Sequence, residues 1–165
     1  MKTFEFTIVA SGLDHDSDEF IDHLFEAGCD DATIAVARGV IIIQFAREAE
    51  SLDDAISTAI ANVRSTGATV DRIEPDYLVS LSEIAERAHL TKAAVSLYTK
   101  GERGKDFPRP VARVTTSSPL WDWPEVADWL FERKQIPEEV VSEAHTIWET
   151  NLHLEEDNEK IRLSA

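Results

Sequence analysis

The chain has 165 residues, 43% of them apolar, and its 32 acidic and 16 basic side chains give a formal net charge of -16. This length fits one domain or two small ones with a buried core. The charge excludes nucleic-acid binding by the chain as a whole unless basic residues are concentrated in one segment. The single cysteine, Cys29, excludes an internal disulfide and a cysteine-based zinc cluster, and it suits a reducing cytosol.

No apolar run approaches the roughly 18 residues of a membrane-spanning helix. The first residues alternate between apolar and polar like a strand, instead of forming the apolar core of a signal peptide. We therefore expect a cytoplasmic protein without membrane contact.

Residues 1–76 predict strands and helices in the order β-α-β-β-α-β. Phe4, Phe6 and Ile8 alternate with polar residues, which is the period of a strand with one buried face. The further strands are predicted at 29–37, 40–46 and 69–73, and the helices at about 20–25 and 52–63. Asp16 and Glu19 have the spacing of a capping box before the first helix. The dipeptide Arg38-Gly39 predicts a hairpin turn, and Ser51 and Gly67 delimit the second helix. This order predicts a ferredoxin-like domain with both helices on one face of the sheet.

The other face of that sheet is more apolar than a solvated surface requires. Small or apolar side chains dominate it in the predicted strands, at Glu5, Thr7, Thr33, Ala35, Ala37, Val40 and Ile42. A partner subunit, the second half of the chain or a small ligand would each cover it.

Residues 77–133 predict short helices in place of strands, together with one small hairpin of 111–115 with 120–121. Ser80 and Glu83 form a capping box before one helix, and Thr91 caps a second after a break at His89-Leu90. Two short helices joined by a tight turn form a helix-turn-helix unit, whose second helix lies in the major groove of DNA. Residues predicted to face outward from the second helix are Thr91, Lys92, Ala93, Ser96, Thr99 and Lys100. Hydroxyl, cationic and small side chains of this kind contact phosphates and base edges.

Three features follow one another here: the two-helix run SEIAERAHLTKAAVS (82–96), Gly101 with the Phe-Pro-Arg-Pro loop (107–110), and LWDWPEVADWL (120–130). Together they resemble the winged helix-turn-helix regulators of the excisionase, AlpA and MerR-like group, over about residues 78–132. The resemblance implies DNA binding, with Thr91, Lys92 and Ser96 on the recognition helix and the loop Gly101–Arg109 as a wing. His89 departs from the family, whose turn usually carries a left-handed glycine, at a cost of about 1 kcal/mol.

The distribution of charge agrees with this interpretation. Residues 1–76 carry -11, residues 77–133 are neutral and residues 134–165 carry -5. Within 87–113, seven basic residues face two acidic ones, a net +5. We therefore add the basic residues of this stretch to the candidate DNA contacts: Arg103, Lys105, Arg109 and Arg113.

Residues 134–165 predict one long helix from Pro137, with a polar end that frays. Its apolar positions exceed what a solvated tail needs, so we predict dimerisation through Val140, Ala144, Ile147, Trp148 and Leu152. A dimer is expected because one short recognition helix reads few bases.

The sequence thus predicts an α+β protein in three parts: a ferredoxin-like domain (1–76), a winged helix-turn-helix domain (77–133) and a dimerising C-terminal helix (134–165). The predicted function is a homodimeric, sequence-specific transcriptional regulator that binds double-stranded DNA, as in operon repression of the antitoxin or phage type. The alternative is a protein-interaction module whose acidic N-terminal domain neutralises a basic partner such as a toxin or nuclease.

No catalytic residue, cofactor or metal site is predicted. Cys29 lies in or before a strand without an evident activating base, and Walker, Rossmann and nucleophile-elbow motifs are absent from the sequence. The spacing of His145, Glu149 and His153 on one helix face could hold a transition metal, but no further Cys or His cluster supports a site. The tryptophans at 121, 123 and 129 are interpreted as core.

Overall fold

A computed structural model describes residues 1–164 and divides the chain into two compact units. The first unit comprises Met1–Pro75 together with residues 149–164, and the second unit is Asp76–Trp148. Over the described residues the fold is α+β, with six α-helices, a four-stranded antiparallel sheet and a small two-stranded sheet. Within residues 1–164, no helix combines the length and the apolar character needed to cross a membrane.

The first unit follows the predicted β-α-β-β-α-β order. Its elements are β1 (Lys2–Ser11), α1 (Glu19–Leu24) with a π-helical turn (Phe25–Cys29), β2 (Ala32–Ala37), β3 (Val40–Ala49), α2 (Leu52–Arg64) and β4 (Thr69–Glu74). The strands lie side by side as β2-β3-β1-β4, and each neighbouring pair is antiparallel. Arg38 and Gly39 both have positive φ, of 53° and 81°. A two-residue turn needs these values if its twist is to match that of the two strands it joins.

One face of this sheet carries the core. Alternate residues of β1 are buried, as the sequence predicts, and apolar residues of β3, β4 and α2 pack against them. The buried residues are Phe4, Phe6, Ile8 and Ala10 of β1, Ile41, Ile43 and Phe45 of β3, Val70 and Ile73 of β4, and Leu52, Ala55, Ile56, Ala59 and Val63 of α2. Arg47 of β3 shares the buried face. Its guanidinium donates both to Asn62 of α2 and to the Gly28 carbonyl in the π-helical turn. Both helical segments therefore pack on the same side.

Two local predictions for this unit are wrong. Cys29 ends the π-helical turn, and β2 begins only at Ala32. The reason lies at Gly28, whose φ of 109° directs the chain out of the helix while Asn62 fills the space beside it. The helix α1 also lacks the side-chain cap expected from Asp16 and Glu19, since it begins after Asp18 without one.

The outer edge of β4 is closed by the last helix, α6 (Glu138–Ser164). Asn151 accepts a hydrogen bond from the Ile73 backbone N–H at 2.7 Å and donates one to the Ile73 carbonyl at 2.9 Å. Asn158, two helical turns further on, donates to the Val70 carbonyl at 3.1 Å, and Leu154 between them is buried. These contacts bond backbone groups along the edge of β4, and α6 continues through its polar end to Ser164.

The second unit contains the helices of the predicted helix-turn-helix and a small sheet. Its elements are β5 (Leu78–Val79), α3 (Leu81–Ala88), α4 (Lys92–Thr99), β6 (Trp121–Asp122), α5 (Trp123–Glu132) and the first part of α6. The predicted hairpin of 111–115 with 120–121 is reduced to one bridge, between Ala112 and Leu120. Trp121 and Asp122 pair instead with β5, a strand of two residues, too short for periodicity to indicate it.

The tryptophans form the core of this unit, as predicted. Trp121, Trp123 and Trp129 are 5%, 5% and 6% exposed. They pack with residues of α3, α4 and α5 and with Ile136 and Ala144, which lie beyond residue 133. The start of α6 therefore belongs to the same core as α3 and α4.

Candidate nucleic-acid interface

The turn between α3 and α4 is short and is closed by local hydrogen bonds. The capping box at Ser80 and Glu83 starts α3, with both reciprocal hydrogen bonds formed. His89 ends it in the left-handed region, with φ 55° and ψ 40°. The Leu90 N–H then donates to the Ala85 carbonyl at 2.9 Å, which closes the end of α3. The left-handed residue thus lies where the family resemblance implies one, with histidine in place of glycine.

Helix α4 presents a polar face. Thr91, Lys92, Ala93 and Lys100 are exposed, and Ser96 and Thr99 are partly exposed. On the opposite side Val95 and Tyr98 are buried in the core of the unit. Thr91 accepts a hydrogen bond from the Ala94 N–H at 3.0 Å, so its own hydroxyl proton stays available for an external acceptor such as a phosphate oxygen.

The loop 101–109 is held against the aromatic core. The Lys105 carbonyl accepts hydrogen bonds from Trp129 Nε1 at 2.9 Å and from Arg133 Nη2 at 2.7 Å. The ring of Phe107 contacts those of Tyr98, Trp121 and Trp129. The backbone of the loop is thereby fixed, while Arg103, Lys105 and Arg109 are exposed. These basic side chains start from an ordered backbone, which lowers the entropy lost when they bind a ligand.

Gly104 allows this close approach, and it supplies a testable prediction. A Cβ at Gly104 would lie 2.8 Å from Trp129 Cη2, whereas one at Gly101 would meet nothing within 4 Å, and φ is 74° at both residues. Alanine at either position strains the left-handed backbone, which lowers the free energy of unfolding by about 1 kcal/mol. At residue 104 the overpacked methyl group lowers it by about 1–3 kcal/mol more. In urea titrations, Gly104→Ala should unfold at a lower midpoint than Gly101→Ala. Equal midpoints would show that the loop does not pack on Trp129 in solution.

β-pairing next to this loop occurs further along the chain than the resemblance implies. No strand lies within 101–109; instead Ala112 and Leu120 bridge, and the segment between them forms a short protruding turn. Arg113 begins that turn with φ 54° and is exposed. The hairpin of this region is therefore 111–120, and the preceding loop packs on the aromatic core through Phe107.

Six exposed basic side chains lie on α4, the loop and the hairpin. These are Lys92, Lys100, Arg103, Lys105, Arg109 and Arg113. Within residues 1–164 none of them makes an ion pair. Arg87, the remaining basic residue of the stretch, is partly buried: it donates to the Asp76 carbonyl, pairs with Glu83 and lies over the ring of Trp123. The charge that faces outward here is therefore carried by the six exposed residues.

Sequence reasoning missed Arg133, which positions the loop. Its guanidinium lies 3.7 Å above the centroid of the Trp129 ring and donates to the Lys105 carbonyl. The only signal in the sequence is the i, i+4 spacing of Trp129 and Arg133, a common contact pair on a helix.

The residues predicted to dimerise lie in different environments. Ala144 is 6% exposed, and Val140 is partly buried against the core of the second unit. Ile147 is partly buried. Trp148 and Leu152 are 36% and 41% exposed. Only these last two offer a large apolar surface to a partner.

The surroundings of three other candidate sites, Cys29, His145 and the open face of the sheet, are as follows. Burial raises the pKa of the Cys29 thiol to about 11, so it is protonated at neutral pH. His145 Nε2 lies 2.9 Å from Asp128 Oδ1, an ion pair when the histidine is protonated. On the open face of the first unit, Thr7, Val9, Val40 and Ile42 line a shallow concavity of about 400 Å³, bordered by Arg72, which pairs with Glu74 at 3.0 Å.

No protein-family model, curated protein or solved structure matches this chain.

Proposed function

We propose that the second unit binds double-stranded DNA as a winged helix-turn-helix, and that the protein is a sequence-specific transcriptional regulator of the cytoplasm. The observation that carries the proposal is the set of six exposed cations without ion pairs on α4, the loop and the hairpin. Cations of this kind replace condensed counterions on phosphates, which is the main source of protein–DNA affinity.

Helix α4 supplies side chains for reading bases. Lys92, Ala93 and Ser96 project from its first turns, where recognition helices contact base edges. Lysine donates to guanine O6 and N7, serine bonds to several bases, and the alanine methyl group fits a thymine methyl. Thr91, Thr99 and Lys100 flank these residues and would contact the phosphates.

We also infer a ferredoxin-like fold for the first unit. The strand order β2-β3-β1-β4 with antiparallel neighbours, and two helical segments on one face, support it. This unit carries most of the negative charge of the chain, and we assign to it the binding of a protein partner or small ligand instead of DNA.

Selection from a pool of random DNA duplexes tests the function. The full chain is incubated with the pool, bound duplexes are recovered and sequenced, and the selected site is titrated between about 50 and 200 mM salt. We expect an enriched motif and affinity that falls steeply with salt. An enriched motif with two-fold symmetry would indicate a dimer on the site. Absence of salt-sensitive binding to any duplex would overturn the proposal.

A further inference from the structure

The two edges of the four-stranded sheet are treated differently in this fold. The edge at β4 is covered by α6, whose Asn151 and Asn158 bond its backbone. The edge at β2 pairs only with β3, and within residues 1–164 no hydrogen bond reaches its outer side. Open edges pair readily with further strands.

The strand β2 also lacks the features that protect an edge. Its six residues, Ala-Thr-Ile-Ala-Val-Ala, include no charge and no proline, and Val36 is 43% exposed. Lysine, proline or a bulge usually interrupts an exposed edge strand. Its open backbone and uncharged side chains therefore suit pairing with another strand.

We propose that β2 pairs antiparallel with β2 of a second copy of this chain, around a two-fold axis at Ala35. Side chains directly opposite each other in an antiparallel pair lie on the same face of the sheet. A two-fold symmetric pair of strands therefore has one residue directly opposite the same residue of the second copy, with the axis between them. With Ala35 at the axis, Ile34 lies opposite Val36 of the second copy, and Thr33 lies opposite Ala37. On each side of the axis, the β-branched side chain of Ile34 thus packs against the β-branched side chain of Val36.

Charge complementarity favours a second copy as the occupant. In this register the hairpin turn that follows β2, with Arg38, comes next to the segment that precedes β2 of the second copy, with Asp30, so that a long side chain can bridge the two. Arg38 and Asp30 are both exposed, and neither forms an ion pair within the described residues. The two-fold axis repeats this contact at both ends of β2. Two copies of an acidic unit thereby meet along an uncharged strand bounded by attractive pairs.

Charge exchange tests the register. Arg38→Asp places two carboxylates together at each end and keeps a residue that tolerates the left-handed turn, so the dimer dissociation constant should rise roughly ten- to thirtyfold. Adding Asp30→Arg should restore dimerisation, because the charges are then reversed. Lys160→Asp, an equal charge change on α6, should have no effect. Sedimentation equilibrium at low salt measures all four proteins.

Two further variants make the result decisive. Val36→Lys should give a monomer, since it introduces a charge opposite Ile34 of the second copy. Ala35→Cys should be joined to its symmetry mate by a short bismaleimide, whereas Lys160→Cys should not, and the buried Cys29 should stay unreacted.

A wild-type monomer at high concentration would overturn the proposal. A dimer that survives Val36→Lys but is lost in Trp148→Glu with Leu152→Lys would place the interface on α6 instead. These measurements require no DNA, so their failure is separate from failure of the proposed function.

Discussion

Replacing Arg47 with methionine should lower the free energy of unfolding by about 3 kcal/mol, the lower end of the range for breaking a buried ion pair. Arg47 is 8% exposed and donates to both carboxylate oxygens of Asp31, at 2.8 and 3.0 Å. It also donates to Asn62, Thr58 and the Gly28 carbonyl. Methionine fills a similar volume but leaves these acceptors without a donor. The Asp31 side chain is 31% exposed, so water recovers part of the loss.

Arg72 provides the matched control for Arg47. It too binds a carboxylate through Nε, that of Glu74 at 3.0 Å, but the two side chains are 55% and 42% exposed. Arg72→Met should therefore cost less than about 1 kcal/mol. Arg47→Lys should not rescue, because a single ammonium cannot reach acceptors spread around a planar guanidinium. Urea unfolding followed by circular dichroism measures these differences; equal losses for the two methionine variants would show that burial does not strengthen the Arg47 contacts.

Replacing Lys92 and Arg103 together with alanine should weaken DNA binding about a hundredfold near 0.1 M salt, because each substitution removes a charge-assisted hydrogen bond worth about 1.5–3 kcal/mol. The slope of log affinity against log salt should fall by about 0.9 for each phosphate that the variant no longer neutralises. Both side chains are exposed, so the fold should be retained. Fluorescence anisotropy with the selected duplex at several salt concentrations gives both quantities.

The control for this variant is Lys134→Ala with Lys160→Ala. It changes the net charge equally, and both residues are exposed and lie outside the stretch 87–113. An equal loss of affinity in the two double variants would mean that net charge alone attracts DNA, without a contact surface on α4 and the loop.

Local patterns predicted most elements because their causes are local. The Ser80–Glu83 capping box, the Thr91 cap and the Arg38-Gly39 turn each involve residues within a few positions of one another. The alternation along β1 predicted its buried face for the same reason. Such features are complete within one turn or one strand, so they can be identified without knowledge of distant contacts.

The candidate interface was predictable in its composition but not in its form. The basic residues of 92–113 were identified from the sequence, and all six are exposed. Arg87 lies over Trp123, 36 positions away, and Gly104 packs on Trp129, 25 positions away, so neither contact follows from local sequence. The reduction of the predicted hairpin to the bridge between Ala112 and Leu120 also depends on a distant contact, because Trp121 pairs with β5.

The net charge of -16 shows the same division between local and distant causes. The sequence by itself determined that the negative charge is concentrated outside 77–133 and that a basic stretch lies within it, because charge can be counted residue by residue. Only the tertiary structure decided which charges face outward: Arg47 is buried and Arg87 partly buried among acceptors, whereas the six basic side chains of 92–113 form no ion pair within residues 1–164. It likewise closes one sheet edge with Asn151 and Asn158 and leaves β2 open. The physical reason is that desolvation and backbone pairing depend on which distant residues fold against each group.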